Sequence, residues 1–288
     1  MFDLRYHVAS LVAVFVALIV GILVGVGLAG SGVTKKADLR AAQLLRDNAE
    51  AQRDAAKAQI GQLQKTQKAF QLAYPAVMRD LLTDKRIGVF FVGSVDSGVN
   101  QSIAETLQDA GAEPATRVVS LAVPVDAQNV DSALFDKGGA KFVKYVGNDK
   151  LEDLGDALGT EFAVGGPTPL WKTLGRELIS ERTGNARQPI DGVVVVRTAK
   201  PQQGDTMRFL RGLYSGLASA GVPAVGVENT NTKLSAAKVF RARGLSAVDD
   251  MDEMTGRAAL ALLLAGAPAG TYGTGDDADG ILPTPASG

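Results

Sequence analysis

The segment Gly93–Gly98 carries the residues best placed to bind a ligand, which are Gly93, Ser94, Asp96, Ser97 and Gly98. It follows an apolar run and precedes an amphipathic one, so we expect it to join a strand to a helix. Doubly wound folds place ligands there, and the amides of a helix N-terminus favour anions. The segment lacks the lysine of a phosphate-binding loop and the glycine spacing of a dinucleotide fingerprint. The competing interpretation is a tight turn in which Ser97 or Asn100 caps the helix.

Four carboxylates form a second cluster, at Asp249, Asp250, Asp252 and Glu253. Oxygen ligands suit hard cations, but this spacing matches no regular calcium loop. Carboxylates at the start of a helix also stabilise it through the helix dipole. We therefore expect these residues to cap the last predicted helix.

Soft-metal and nucleophilic chemistry have few groups available. The chain has no cysteine, and its one histidine, His7, precedes the first apolar segment. A Ser-His-Asp triad is therefore not available to the globular part. Thioethers suit Cu(I), but core packing is the simpler interpretation of Met207, Met251 and Met254. The sequence predicts no metal site, no catalytic residue and no cofactor, so we expect a protein that is not an enzyme.

The overall charge indicates no nucleic-acid partner. The formal net charge is -1, which gives no general attraction to a polyanion. Arg176, Arg182 and Arg187 form a loose basic region, which we interpret as solvated surface.

The elements that must position these residues alternate between strands and helices. Ile87–Val92 is a short apolar run typical of a strand covered on both faces, and a helix (100–110) and a second strand (116–123) follow it. Such an order predicts a mostly parallel, doubly wound-like α/β region over residues 85–266. This region forms one domain or two halves, 85–187 and 188–266.

The remaining boundaries follow from the same patterns. Strands are predicted at 190–197, 222–227 and, as an edge strand, 245–248; helices are predicted near 149–158, 170–181, 205–220 and 251–265. Tyr74-Pro75 is predicted to end the helix before them, because proline disfavours helix at the preceding residue. The tail 267–288 is rich in Gly, Pro, Asp and Thr, and we expect it to be flexible.

A single apolar segment, Val8–Gly30, follows the short N-terminal tail 1–7 and contains no charged residue. In helical form it spans roughly 34 Å at about 1.5 Å per residue, enough for a bilayer core of about 30 Å. A cleaved signal peptide and a buried soluble helix are the competing interpretations. The former has a shorter apolar core of about 7–15 residues, and the polar segment that follows gives the latter nothing to pack against. We expect a retained membrane anchor.

The segment 35–73 is predicted to form a coiled-coil-like stalk helix. Apolar residues recur every seven positions, at Ala42, Ala49, Ala56, Leu63 and Phe70. Within the anchor, Gly21 and Gly25 form a GxxxG pair that lets two helices approach closely. Both features favour a homodimer or higher oligomer. The competing interpretation of the stalk is a solvated spacer, since the companion seam positions are mostly polar.

The N-terminal sequence FDLRYHVASLVAVFVALIVGILVG, most specifically Arg5–Phe15, resembles the actinobacterial family named after the mycobacterial copper transporter B. Tyr272-Gly273 and Ile281-Leu282-Pro283 are also similar to that family. The resemblance implies copper efflux or homeostasis in the envelope. Other members are associated with cell separation, where the anchored coiled coil works with a membrane or cell-wall partner to control peptidoglycan hydrolysis. It supplies no catalytic or copper-binding residue here, so copper is implied by resemblance only.

Three functions are therefore open: copper handling, non-enzymatic scaffolding, and small-molecule sensing through Gly93–Gly98. Scaffolding is favoured, because one helix cannot form a pore alone and soft ligands are scarce. Orientation is contested, because Lys35, Lys36 and Arg40 outnumber Arg5 and favour a cytoplasmic C-terminal part. The resemblance implies the opposite orientation, and we expect a single-pass cell-membrane protein with an extracytoplasmic C-terminal part.

Overall fold

The computed structural model describes residues 14, 16–22, 24, 32–230 and 232–284, and the chain divides into two compact units, Met1–Ala69 and Phe70–Gly288. The predicted tail 1–7 and most of the predicted anchor Val8–Gly30 lie outside the described residues. The anchor residues that are described are helical. Within the described ranges, no helix is both long enough and apolar enough to cross a bilayer.

The first long helix, α1, covers Gly32–Met78 and includes Pro75. The expectation that Tyr74-Pro75 ends the helix was therefore wrong. Proline costs a backbone hydrogen bond inside a helix, and burial offsets that cost here. Tyr74 and Met78 are 6% and 0% exposed in the core of the second unit. The Tyr74 hydroxyl also donates a hydrogen bond to Asp109 Oδ2 over 3.1 Å.

The second unit is built on one seven-stranded sheet, so the predicted α/β fold with a mostly parallel sheet is confirmed. The strands are β1 Ile87–Val92, β2 Arg117–Leu121, β3 Ile179–Gly184, β4 Gly192–Arg197, β5 Ala224–Val227, β6 Ser246–Val248 and β7 Thr271–Tyr272. Their order across the sheet is β3-β2-β1-β4-β5-β6-β7. Neighbours are parallel except β2 and β3. The two predicted halves therefore meet at the β1–β4 pair of a single sheet.

Helices cover both faces of this sheet. They are α2 Ser97–Asp109, α3 Ala127–Gly138, α4 Leu151–Val164, α5 Pro169–Leu178, α6 Gly204–Ser219, α7 Ala237–Arg241 and α8 Met254–Leu264. Helices α3 to α7 pack on one face, and α2, α8 and the end of α1 pack on the other. Phe90 and Phe91 alternate between these two cores, and both are 0% exposed. Burial on both faces explains why β1 is a continuous apolar run.

Several boundaries differ from the predicted ones. The helix predicted near 170–181 ends at Leu178, and the next residues form β3, whose residues beyond Ile179 are exposed. β6 is not an edge strand, because β7 pairs with it. β7 lies in the segment expected to be a flexible tail, where Thr271 is 5% exposed. Neither β3 nor β7 has the apolar alternation from which a strand is predicted.

Helices α4 and α6 pack against each other, and each contributes glycines to the contact. Gly155 and Gly159 of α4 face Gly212 and Gly216 of α6. A Cβ atom at Gly212 would lie 1.9 Å from the carbonyl oxygen of Glu152, and one at Gly155 would lie 2.2 Å from that of Phe209. The two backbones are therefore so close that only glycine fits at the crossing.

Candidate functional site

The segment Gly93–Gly98 follows β1 where the strand order reverses between β1 and β4, the position at which open α/β sheets bind ligands. The loop after β4, which includes Thr198 and Ala199, occupies this position beside the segment Gly93–Gly98. Thr198 Oγ1 donates a hydrogen bond to the Ser94 carbonyl over 2.7 Å, and the amides of Thr198 and Ala199 donate to the Val92 carbonyl. Gly93 has a φ of +106°, and a Cβ there would lie 2.6 Å from Thr198 Oγ1. Gly93 is thus required by contact with the neighbouring loop.

The start of α2 is capped by Asp96, where Ser97 or Asn100 was expected. Asp96 Oδ1 accepts a hydrogen bond from the Val99 amide over 2.9 Å. A carboxylate at these amides opposes the binding of a second anion there. Ser94, Ser97 and Gly98 are exposed. Ligand binding by Gly93, Ser94, Asp96, Ser97 and Gly98 stays a prediction.

None of the four carboxylates before α8 caps the helix, and two of them, Asp249 and Asp252, connect loops instead. Glu253 occupies the N-cap position, but its side chain makes no capping hydrogen bond. Asp249 Oδ1 accepts from the Thr274 amide over 2.9 Å, and Asp252 Oδ1 accepts from the Thr230 amide over 2.7 Å. These bonds hold the loops after β5 and β7 beside the end of β6. The expected capping role was therefore wrong for these side chains.

Asp250 is the buried member of this group, with 0% of the residue exposed. Its Oδ2 accepts a hydrogen bond from Thr255 Oγ1 over 2.7 Å, while Oδ1 has no partner within the described chain. Burial, reinforced by the charges of Asp249, Asp252 and Glu253, raises the pKa of Asp250 to about 6. The carboxylate form is thus disfavoured in the folded protein.

The candidate soft-metal ligands do not share one environment. Met251 is 0% exposed in the core and Met254 is 40% exposed on α8. His7 lies outside the described residues. Among the residues that the structure describes, no three His, Cys, Asp or Glu side chains are grouped so as to hold a metal ion.

A cleft of about 1120 Å³ opens between α5 and the β2–β3 edge. Five cationic side chains line it, together with one carboxylate, Glu181. These cations are Arg117, Lys172, Arg176, Arg182 and Arg187. The basic residues Arg176, Arg182 and Arg187, interpreted from sequence as scattered surface, are exposed and share this cleft. We name it the basic cleft.

Arg117 lies in the basic cleft but is only 2% exposed. Its guanidinium donates to the carbonyls of Ala186, over 2.8 Å, and Gln188, and it stacks 5.3 Å from the ring centre of Phe162. Its Nε is buried and has no acceptor in the part of the chain that the structure describes. Burial lowers the pKa of Arg117 below its usual value. No pattern in the sequence distinguishes this arginine, because its partners lie about 70 residues further along the chain.

The predicted helix-pairing residues are accessible where they are described. Ala42, Ala49, Ala56 and Leu63 are exposed along α1, and Leu63 is 68% exposed. Gly21 is helical and has no heavy atom within 4 Å of the position of an added Cβ, while Gly25 lies outside the described residues. Pairing of two such chains stays a prediction.

Comparisons with known proteins support the resemblance stated from the sequence. No curated protein matches the chain. The family described as "Copper transport outer membrane protein, MctB" matches residues 1–283. Because the match covers nearly the whole chain, the protein belongs to this MctB family.

Proposed function

We propose that this protein is a non-enzymatic scaffold of the cell envelope that oligomerises through α1 and acts in copper homeostasis. The observation that carries the proposal is the apolar seam of α1. Its four predicted pairing residues, from Ala42 to Leu63, are exposed on a helix of 47 residues. An exposed seam with a seven-residue repeat gains stability when a second helix covers it.

Membership of the copper transport family supports the copper part of the proposal. The sequence favours an indirect role, because a chain with no cysteine and one histidine has few soft ligands for Cu(I). A single apolar segment also cannot enclose a pore by itself. We infer that the scaffold presents its α/β unit to a membrane or cell-wall partner through which copper passes.

The family description also supports an envelope location. Within that location, we propose that Val8–Gly30 anchors the chain in the cell membrane as a single span and that the C-terminal part is extracytoplasmic. The length of this uncharged segment supports the span. The small-residue pair Gly21 and Gly25 would then add a second pairing surface within the bilayer.

Single-cysteine variants test the seam, because the natural chain has no cysteine to interfere. In a parallel pair, equivalent seam positions face each other closely enough for a disulfide. We expect the full-length variants A49C and A56C to form disulfide-linked dimers in membranes under mild oxidation. Ala51 and Ala58 lie two residues after these seam positions, on roughly the opposite face of the helix. A51C and A58C are therefore the matched controls. We expect little dimer from either control on a non-reducing gel.

A substitution in the same seam tests whether oligomerisation is needed for copper tolerance. Cells whose only copy carries L63K should lose copper tolerance as a deletion strain does, because a seam lysine opposes pairing. L44K is the control, since Leu44 is equally apolar and 63% exposed but lies off the seam. Equal cross-linking at all four cysteine positions, or full copper tolerance with L63K, would contradict the proposal. A defect in cell separation with unchanged copper tolerance would favour the alternative scaffold role.

A further inference from the structure

The two walls of the basic cleft are formed by different secondary-structure elements. One wall is a single face of α5, from which Lys172 and Arg176 project one helical turn apart. The other wall is β3 and the loop after it, which contribute Arg182 and Arg187. None of these four side chains forms a salt bridge within the described residues. Glu181 is the one carboxylate among the lining residues, so the cleft keeps an excess of positive charge.

The floor of the cleft is buried. Arg117 is held there by two backbone carbonyls, and the buried Nε leaves one donor unused. A buried guanidinium without a carboxylate partner is costly, and a bound anion would reduce that cost. Pro167 and Ile179 supply accessible apolar surface to the same cleft, and Trp171 reaches it with 7% of the residue exposed. The site therefore combines several positive charges with apolar surface.

We propose that the basic cleft binds a phosphate ester, with its phosphate against the cations of both walls and its organic part against Trp171. Arginine donates paired hydrogen bonds to phosphate oxygens, which suits this set better than a site built from lysine alone. Several cations around one cleft match a multiply charged group better than a single carboxylate. The ester is a phosphomonoester, either the headgroup of an acidic lipid or a small soluble molecule, since both present the same terminal phosphate.

Trp171 gives a direct readout, because it is the only tryptophan of the chain and lies in the cleft. Full-length protein in a zwitterionic detergent is titrated with inorganic pyrophosphate, and tryptophan fluorescence is followed. We expect a saturable change that weakens with added salt, because exposed charges are screened. Dihexanoyl-phosphatidic acid, whose headgroup is a phosphomonoester, is compared with zwitterionic dihexanoyl-phosphatidylcholine to test the lipid source. A response to phosphatidic acid but not to the choline lipid supports a lipid headgroup, and a response to pyrophosphate alone supports a soluble ester.

The variant R176Q/R182Q/R187Q removes three exposed charges from the cleft, so its fold is expected to persist. We expect the dissociation constant for pyrophosphate to rise at least about tenfold, since charge-assisted hydrogen bonds are lost. The control variant R79Q/K200Q/K233Q removes the same charge from exposed positions outside the cleft. It should bind as the natural protein does. No saturable signal up to about 10 mM pyrophosphate, or an equal loss in the control, would overturn the proposal.

Discussion

Replacing Gly212 with alanine should destabilise the α/β unit by about 3 kcal/mol, the upper part of the usual range for overpacking a core. The added methyl group would lie 1.9 Å from the carbonyl oxygen of Glu152 and 2.9 Å from the amide nitrogen of Asp156. Both atoms belong to the backbone of α4, so no side chain can rotate away to make room. Helices α4 and α6 must separate instead. Urea unfolding of the full-length protein, followed by Trp171 fluorescence, measures the loss.

The control is the same substitution at Gly175, in the interior of α5. There the nearest atom to an added Cβ is Ile179 Cδ1 at 3.7 Å, an ordinary contact distance. Alanine should therefore stabilise this helix by about 0.5–1 kcal/mol, because glycine loses more conformational freedom on folding. Opposite effects of the two substitutions on the free energy of unfolding would separate the contribution of close packing from that of helix propensity. A G212A variant as stable as the natural protein would show that the crossing tolerates a wider spacing.

Replacing Asp250 with asparagine should stabilise the protein at neutral and higher pH. The folded pKa of Asp250 is about 6, above the ordinary value of 3.8 for an aspartate. The folded protein holds the Asp250 proton more tightly than the unfolded chain does, so this contribution to stability is complete below the unfolded pKa. The contribution falls as the pH rises and is lost once the pH passes about 6. Asparagine cannot ionise and avoids this loss. We expect D250N to be more stable than the natural protein by about 2–3 kcal/mol near pH 8, and by about half as much near pH 5.

Urea unfolding at several pH values measures this difference. D136N is the matched control, because it is the same substitution at an aspartate that is exposed on α3 and remote from the acidic group. It should change the free energy of unfolding by less than about 0.5 kcal/mol. If D250N and the natural protein showed parallel pH profiles, Asp250 would have to be ionised in the fold at no cost.

The strands buried on both faces were predictable from the sequence, because burial on both faces selects uninterrupted apolar runs. Ile87–Val92 has the predicted bounds, and β4 and β5 begin two residues later than predicted. β3 was missed because it lies at the sheet edge, where exposed residues such as Glu181 and Arg182 replace the apolar pattern. The extension of α1 through Pro75 was missed because tertiary burial of Tyr74 and Met78 outweighs a local rule.

The candidate sites show the same division between local and long-range signals. A helix cap after β1 was predictable, although Asp96 supplies it. The basic cleft was not, because antiparallel pairing of β2 with β3 brings Arg117 opposite Gly184, far along the chain. The glycines of α4 and α6 are spaced by four in the sequence, as close helix packing requires. That spacing identifies two surfaces but does not say that they face each other.

The two outer strands have a consequence for how copies of this protein can associate. The outer edge of β7 is occupied by its own chain, since Thr271 bonds to Asp279 through both its amide and its carbonyl and Tyr272 is bridged to Gly280. At the other edge, β3 carries exposed Glu181 and Arg182 and pairs with β2 through a register shift. Short, charged or covered edges oppose strand addition. The sheet is therefore protected against edge-to-edge aggregation, even where an envelope protein is crowded beside identical copies.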